Sequence, residues 1–335
     1  MTDDGKKSVI LAIIGEEEAG QRLDNYLLRV CKGVPKSHIY RILRSGEVRV
    51  NSKRAAPTLR VLAGDRVRIP PIRLAQRDTE SIPVGQMQQA VLPLLFEDEA
   101  MLAVDKPAGI AVHGGSGVSF GVIEALRQQR PEARFLELAH RLDRETSGIL
   151  LVGKKRSALN RLHDMFRENR SDKRYLVLVR GRWVDQLRHA RFPLFKYLTE
   201  DGERRVKVRE DGKPSHTVFR LLARWKPSAM LPEGASLLEA QLKTGRTHQI
   251  RVHLAHLGFP ILGDDKYGDF PLNKALQGDG LKRMFLHAWK MTFPHPGSGD
   301  EQSLHAPLPE ALRNYLKHLS AEAQQDWGEV DGTSL

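Results

Sequence analysis

The residues best placed to do chemistry lie in one short run, His140-Arg141-Leu142-Asp143-Arg144-Glu145-Thr146-Ser147-Gly148. A single carboxylate, Asp143, stands between two arginines in what reads as a polar loop. Gly148 to Val152 is apolar and β-rich, which predicts a buried strand immediately after it. A carboxylate held there can act as a nucleophile or a general base, and a nearby guanidinium favours its ionised form. The same residues are equally compatible with an ordinary Asp–Arg salt bridge, because most such pairs are structural. Glycoside cleavage would need a second carboxylate about 5–10 Å away, and the nearest candidate, Glu145, is almost adjacent in sequence. Spacing argues against other chemistries. The stretch His113 to Gly117 has no Gly-Lys-Ser/Thr after it, and Phe120 stands where a dinucleotide loop needs its last glycine. It reads as a flexible turn beside a cleft. His248, His253 and His256 lack His-Glu-x-x-His spacing, and the lone Cys31 offers no thiolate cluster, so no metal site is expected. His248 reads as a hydrogen-bonded structural residue.

The elements that must hold this loop come from a chain of 335 residues, enough for about two domains and a packed core. Its 40% hydrophobic and 28% charged fractions describe a soluble globular protein and exclude collagen, low-complexity disorder and an integral membrane protein. The longest clean apolar run, Val9 to Ile14, falls far short of the roughly 20 residues of a membrane helix. The N-terminal residues lack the apolar core of a signal peptide. With one cysteine, a reducing, cytoplasmic setting is the expectation.

The net charge of +12 is unevenly spread. Between Arg22 and Arg77 there are 14 lysines and arginines against Asp24, Glu47 and Asp65, a net +11 from 56 residues. Such a concentration is the footprint of a polyanion binder, although a charge run is also compatible with a solvated face. Leu23, Tyr26, Leu27, Val30 and Cys31 recur at helical spacing, so Cys31 reads as core. Gly33-Val34-Pro35 breaks that helix. A second is expected to be capped by Ser37, to turn Ile39, Ile42 and Leu43 inward and to end at Gly46. Lys36, Arg41 and Arg44 then fall on its outer face. Short alternating strands follow around Val48 to Val50 and Arg66 to Ile69, with Lys53 and Arg54 between them. From Pro70 the sequence becomes Pro- and Gln-rich, as a linker does.

Helix, helix and small basic strands, in "RLDNYLLRV…VPKSHIYRILRSGEVRVNSKR…LAGDRVRIP", resemble the S4 RNA-binding domain. "HRLDRETSGILLVGK" resembles the signature of the RluA-type pseudouridine synthases, in which the Asp is the essential catalytic residue. Further matches follow in that family's order: "DKPAGIAVHGG", "KRYLVLVRG", "GKPSHT", "KTGRTHQIRVHLAHLGFPILGDDKYG" and "LHA". The resemblance covers about residues 20 to 318.

The resemblance implies an α+β protein: an S4 domain over 20–83, a linker over 84–91 and a catalytic domain over 92–318. That second domain would be built on a long mixed, largely antiparallel sheet with flanking helices. An acidic tail over 319–335 is expected to be disordered. The implied activity is isomerisation of uridine to pseudouridine in RNA, with 23S ribosomal RNA or a large-subunit precursor as partner. Neither cofactor nor metal is implied. Asp143 matches the catalytic carboxylate, Arg251 its ion-pair partner and Tyr175 the ring that stacks on uracil. Leu286 matches the apolar residue under the other face, and Arg141 the residue that fills the gap left by the flipped base. Lys36, Arg41, Arg44, Lys53 and Arg54 are the expected RNA contacts of the S4 domain. A monomer is expected. The rivals are the same chemistry on other uridines of the same rRNA, and a non-catalytic ribosome-assembly protein.

Overall fold

The computed structural model describes residues 9–31, 34–72, 92–114, 120–200 and 202–323. The first unit opens on β1 (Ile10–Ile13) and a 3-10 turn at Glu16–Glu18, followed by α1 (Leu23–Val30) and α2 (Lys36–Ser45). Then come β2 (Arg49–Val50), β3 (Lys53–Arg54) and β4 (Arg66–Ile69), which form a four-stranded sheet in the order β1-β4-β2-β3. Leu23, Tyr26, Leu27, Cys31, Ile39, Ile42 and Leu43 are buried together beneath it. Gly46 closes α2 at φ +78°, a left-handed cap that glycine adopts without a Cβ penalty.

Two expectations need correction here. The N-cap of α2 is Pro35, not Ser37. The Pro35 carbonyl already accepts from His38 and Ile39 N–H at 3.0 and 3.2 Å, which places Ser37 inside the first turn. The unit also begins before residue 20, because β1 pairs in register with β4 from Ile10↔Ile69 to Ile13↔Arg66. Ile10, Leu11 and Ile13 are largely exposed on that edge strand, so their burial pattern carries little strand signal. The expected linker over 84–91 lies outside the described residues, apart from its neighbour Leu92.

The second unit contains β5 (Leu94–Glu97), β6 (Met101–Lys106), α3 (Val122–Gln129), β7 (Glu137–Leu138), β8 (Ser147–Gly153) and α4 (Arg156–Arg167). It continues through β9 (Asp172–Arg180), β10 (Leu187–Ala190), the hairpin β11 (Leu194–Leu198) and β12 (Arg204–Val208), β13 (Thr217–Trp225) and β14 (Ala235–Leu242). It ends with α5 (Gln249–His256), α6 (Phe270–Gly278), β15 (Leu286–Pro294), β16 (Glu301–His305) and α7 (Glu310–Ala323). Ten strands form one sheet, with the path β10-β13-β14-β9-β15-β8-β6-β5, β16 added to β15 and β7 added to β8. Every pairing is antiparallel except β15 with β8. The α+β architecture is therefore as expected.

The central strands read as continuous apolar runs because both faces are covered. Along β9, Tyr175, Val177 and Val179 enter one core while Leu176 and Leu178 enter the other, as a two-residue period requires. The first face, shared with Leu142, Ile250 and Leu286, carries the cleft described below. The other face is covered by α6 and α7 through Leu276, Leu312, Tyr315 and Leu316. The helix α7 runs past 318, with Leu319 buried and Ser320 accepting from Trp225 Nε1 at 3.1 Å. The expected tail boundary at 319 therefore falls inside a packed helix, and residues 324–335 lie outside the described residues. Among the described residues no helix is long and apolar enough to cross a membrane.

Candidate active site

Asp143 lies in the turn between β7 and β8, which its own carbonyl closes by accepting from Thr146 N–H at 3.1 Å. A buried lysine and a half-buried arginine hold this turn. Lys106, at the end of β6, is fully buried and donates to the carbonyls of Pro107, Ile110 and Arg144 at 2.8, 2.9 and 3.0 Å. Arg283 donates to Glu145 O, Ser147 Oγ and Leu286 O at 3.3, 2.9 and 3.2 Å. Ser147 in turn bonds His287 Nδ1 at 2.8 Å, and His287 Nε2 meets Ala306 O at 3.1 Å. Burial pushes Lys106 down to about 7, Arg283 to about 10 and His287 to about 4. Gly148 sits at φ +107°, and a Cβ there would lie 2.1 Å from Ala288 O on the paired strand. Only glycine lets β8 approach β15 this closely.

Arg251 on α5 is 3% exposed and is neutralised by a partner that the sequence reading did not single out. Its Nε and Nη2 donate to Asp264 Oδ2 and Oδ1 at 2.7 and 2.6 Å, and Nη2 also reaches Asp265 Oδ1 at 2.9 Å. Asp264 further accepts from the N–H groups of Lys266 and Tyr267. Burial opposes the charge on Arg251, but Asp264 first and Asp143 after it outweigh burial and hold its pKa above the ordinary arginine value. The remaining nitrogen, Nη1, faces Asp143 Oδ2 at 3.5 Å. The other oxygen, Oδ1, faces His248 Nε2 at 3.8 Å. Among the described residues, Asp143 is thus approached on both oxygens and tightly bonded on neither.

Tyr175 enters from β9, where it pairs with Ala240 on one side and Ala288 on the other. It is buried, and burial together with the Asp143 charge raises its hydroxyl pKa well above the usual phenol value. Leu286 opens β15 and is buried. Arg141 is exposed at the rim. The structure brings Arg141, Asp143, Tyr175, His248, Arg251 and Leu286 into one cleft of about 1060 Å³. Lys36, Arg41, Arg44, Lys53 and Arg54 are not part of it. They are exposed in the first unit, where Arg41 pairs with Glu47 at 3.4 Å and the Arg54 guanidinium caps the Arg44 carbonyl. Among the described residues no group of three or more His, Cys, Asp or Glu is placed to hold a metal ion.

Sequence reasoning passed over Asp264, Tyr267, Lys106 and Arg283. One signal was available for Asp264: a buried arginine demands a buried carboxylate, and Asp264-Asp265 is the next acidic pair after Arg251. The turn at Gly114 is held from α3, with Glu124 accepting from Gly114 and Gly121 N–H at 3.1 and 3.0 Å. The glycines after Gly114 up to 117 lie outside the described residues.

Comparison with known proteins matches this geometry to a family. The RNA pseudouridylate synthase family model matches residues 100–256, and the S4 domain model matches residues 21–67. Ribosomal large subunit pseudouridine synthase C of Salmonella typhi is 51% identical over 320 residues, covering 94% of this chain and 98% of that protein. The protein of the same name from Escherichia coli (strain K12) is 51% identical over 316 residues, covering 93% and 97%. The fold is also that of human RNA Pseudouridylate Synthase Domain Containing 1, with a TM-score of 0.55 at 24% identity, covering 73% of this chain and 100% of that one. The human Domain Containing 4 protein gives 0.53 at 24% identity, covering 68% and 92%. An S4 unit, a central mixed sheet and a cleft built around "HRLDRETSG" make this chain a member of the RNA pseudouridylate synthase family.

Proposed function

We propose that this enzyme isomerises specific uridines of 23S ribosomal RNA, free or in a large-subunit precursor, as a monomer that flips each target base into the cleft and uses Asp143 as the essential carboxylate. The relatives that match nearly the whole chain are named for the ribosomal large subunit, which supports that substrate class. The observation that carries the assignment of Asp143 is its setting: a partly exposed carboxylate, 26% accessible, beside the buried Tyr175 ring and within 3.5 Å of the Arg251 guanidinium.

The reaction breaks the N1–C1′ bond and joins C1′ to C5. A proton leaves C5 and N1 gains one, so nothing is oxidised and no group is lost. Extrusion of the base costs a few kcal/mol, which a side chain filling the gap offsets in part. Arg141 suits that place, because a planar guanidinium stacks where a base was and meets phosphates as well. Tyr175 and Leu286 would hold the uracil between a ring and an aliphatic face. Asp143 would attack C1′ or uracil C6, or remove the 2′ proton; each route uses an ionised carboxylate whose oxygens remain accessible. The basic S4 unit would supply affinity through phosphate contacts.

The test is carbodiimide primer-extension mapping of unmodified large-subunit rRNA treated with wild type or Asp143→Asn. Stops produced by wild type alone would establish the target uridines and the need for the carboxylate. Substantial pseudouridine formed by Asp143→Asn would refute the role of Asp143. Stops confined to another RNA would refute the substrate.

A further inference from the structure

We propose that His248 is a positioning residue for Asp143, holding carboxylate Oδ1 through a neutral imidazole whose Nε2–H is fixed in place by the Tyr267 hydroxyl. The inference rests on the reading of Asp143 as the reacting carboxylate. It starts from the backbone. His248 immediately precedes α5 and has φ +53° and ψ 22°, a left-handed conformation that few non-glycine residues adopt. Residues held there against their preference cluster where function over-determines the structure.

The side chain explains what is gained. His248 Nδ1 lies 2.8 Å from Tyr267 Oη, and that oxygen already accepts from Val206 N–H at 2.9 Å. An ionised Asp143 Oδ1 can only accept, so the Nε2 that faces it at 3.8 Å is the nitrogen to carry the proton. Nδ1 of a neutral ring then accepts from the Tyr267 hydroxyl, whose oxygen takes the Val206 N–H on a lone pair. Burial holds the ring below the usual imidazole pKa against the pull of Asp143, which favours the neutral form. Tyr267 is itself fixed, because its N–H donates to Asp264, the same carboxylate that grips Arg251. One anchor thus aligns the two groups that address opposite oxygens of Asp143.

A closure of less than 1 Å would turn the 3.8 Å approach into a hydrogen bond of about 3 Å. Nε2–H would then settle which carboxylate oxygen points at the substrate and which is held. The ring moves no proton in this role.

The test compares His248→Phe, His248→Gln and Tyr267→Phe with wild type on an unmodified large-subunit rRNA transcript, with Asp143→Asn assayed alongside. The glutamine amide restores a donor near Nε2, and phenylalanine fills the space without one. We expect His248→Phe to lower kcat about 10- to 100-fold while KM stays within about twofold, as losing an orienting partner does. His248→Gln should recover most of that loss, and Tyr267→Phe should fall between. In nitrogen-labelled histidine spectra, His248 should carry its proton on Nε2 in wild type and lose that preference in Tyr267→Phe. Full activity in His248→Phe, equal losses in the Phe and Gln variants, or a proton on Nδ1 in wild type would each overturn the proposal. If Asp143→Asn itself remains active, the reading of Asp143 falls. If that variant is inactive while His248→Phe is fully active, only the present inference falls.

Discussion

Asp264→Asn tests whether the cleft depends on a buried carboxylate that grips Arg251. Asp264 is 1% exposed and Arg251 3%, and their two hydrogen bonds are 2.7 and 2.6 Å long. An asparagine keeps one acceptor but turns an amide N–H₂ toward the guanidinium, so two donors oppose each other and the buried cation loses its main neutraliser. Removing one partner from a buried pair costs about 3–5 kcal/mol. In a unit of this size 1 kcal/mol corresponds to about 2–4 °C in Tm, so the melt should fall by about 10 °C. Asp265 provides the control. It reaches the same Nη2 at 2.9 Å but is 58% exposed, and water screens such a contact. Asp265→Asn should therefore cost less than about 1 kcal/mol and move Tm by no more than about 3 °C. Calorimetric melts of the full chain would read both, with pseudouridine formation measured well below the transition. We expect activity to drop sharply in Asp264→Asn alone, because the Nη1 end of Arg251 then has no fixed aim at Asp143. Equal shifts in the two variants, or a melt of Asp264→Asn within about 3 °C of wild type, would refute the reasoning.

Three further predictions concern other parts of the molecule. Lys106→Met leaves three carbonyls without their shared donor. It should cost about 2–4 kcal/mol in urea unfolding and lower kcat, because one of those carbonyls belongs to the residue after Asp143; unchanged stability would count against the staple. His140, His253 and His287 are pushed by burial to about 3, 4 and 4, below the unfolded value near 6.5, so their contribution is present above pH 6.5 and lost as pH falls toward 4. Asp105, raised by burial to about 6, opposes one of the three, which leaves a net slope of about 3 kcal/mol per pH unit near pH 5 in denaturant titrations. A flat profile between pH 4 and 6.5 would contradict it. Replacing Lys36 and Lys53 by Ala should weaken rRNA binding across sequences and lower the salt slope of log K by about 1.4–1.8, whereas an unchanged slope would remove both from the phosphate contacts.

Much of the fold was legible because local pattern and tertiary role agree. Leu23, Tyr26 and Leu27 fall on one helical stripe and are buried there, and Gly148 to Val152 reads as a strand because both its faces meet cores. Asp143 and Arg251 could be placed by motif. Their support could not, because it joins residues far apart in the chain. Asp264 looks like a surface carboxylate in a Gly-Asp-Asp turn until Arg251 is known to be buried beside it. His248 looks like a structural histidine until Tyr267 and Asp143, on two other segments, are seen facing its two ring nitrogens. Lys106 is the plainest case. A lysine at a strand end normally reaches water, yet three carbonyls turned inward hold this one at zero exposure. The surface charge was legible only as a sum: Arg41 and Arg54 count toward the +11, but each already has a partner within the first unit.

On the role proposed above for Asp143, the division of labour around Arg251 bears on how that carboxylate would be left free to react. A carboxylate gripped by the two-pronged edge of a guanidinium has its oxygens occupied by short, charge-assisted bonds and makes a poor nucleophile or base. Here that edge is spent on Asp264, and Asp143 receives only the far nitrogen at 3.5 Å. The positive charge lies beside the carboxylate, yet among the described residues neither oxygen is held by a short hydrogen bond. A lysine could not do both, because it has no fork with which to satisfy Asp264 while aiming a second donor elsewhere. The buried Arg251–Asp264 pair thus acts as a fixed electrostatic element, preorganised before the reaction. The turn stapled by Lys106 and Arg283 then holds the Asp143 carboxylate at a set distance from it. With Asp143 as the proposed reacting carboxylate, reactivity would come from holding the two apart as much as from bringing them together.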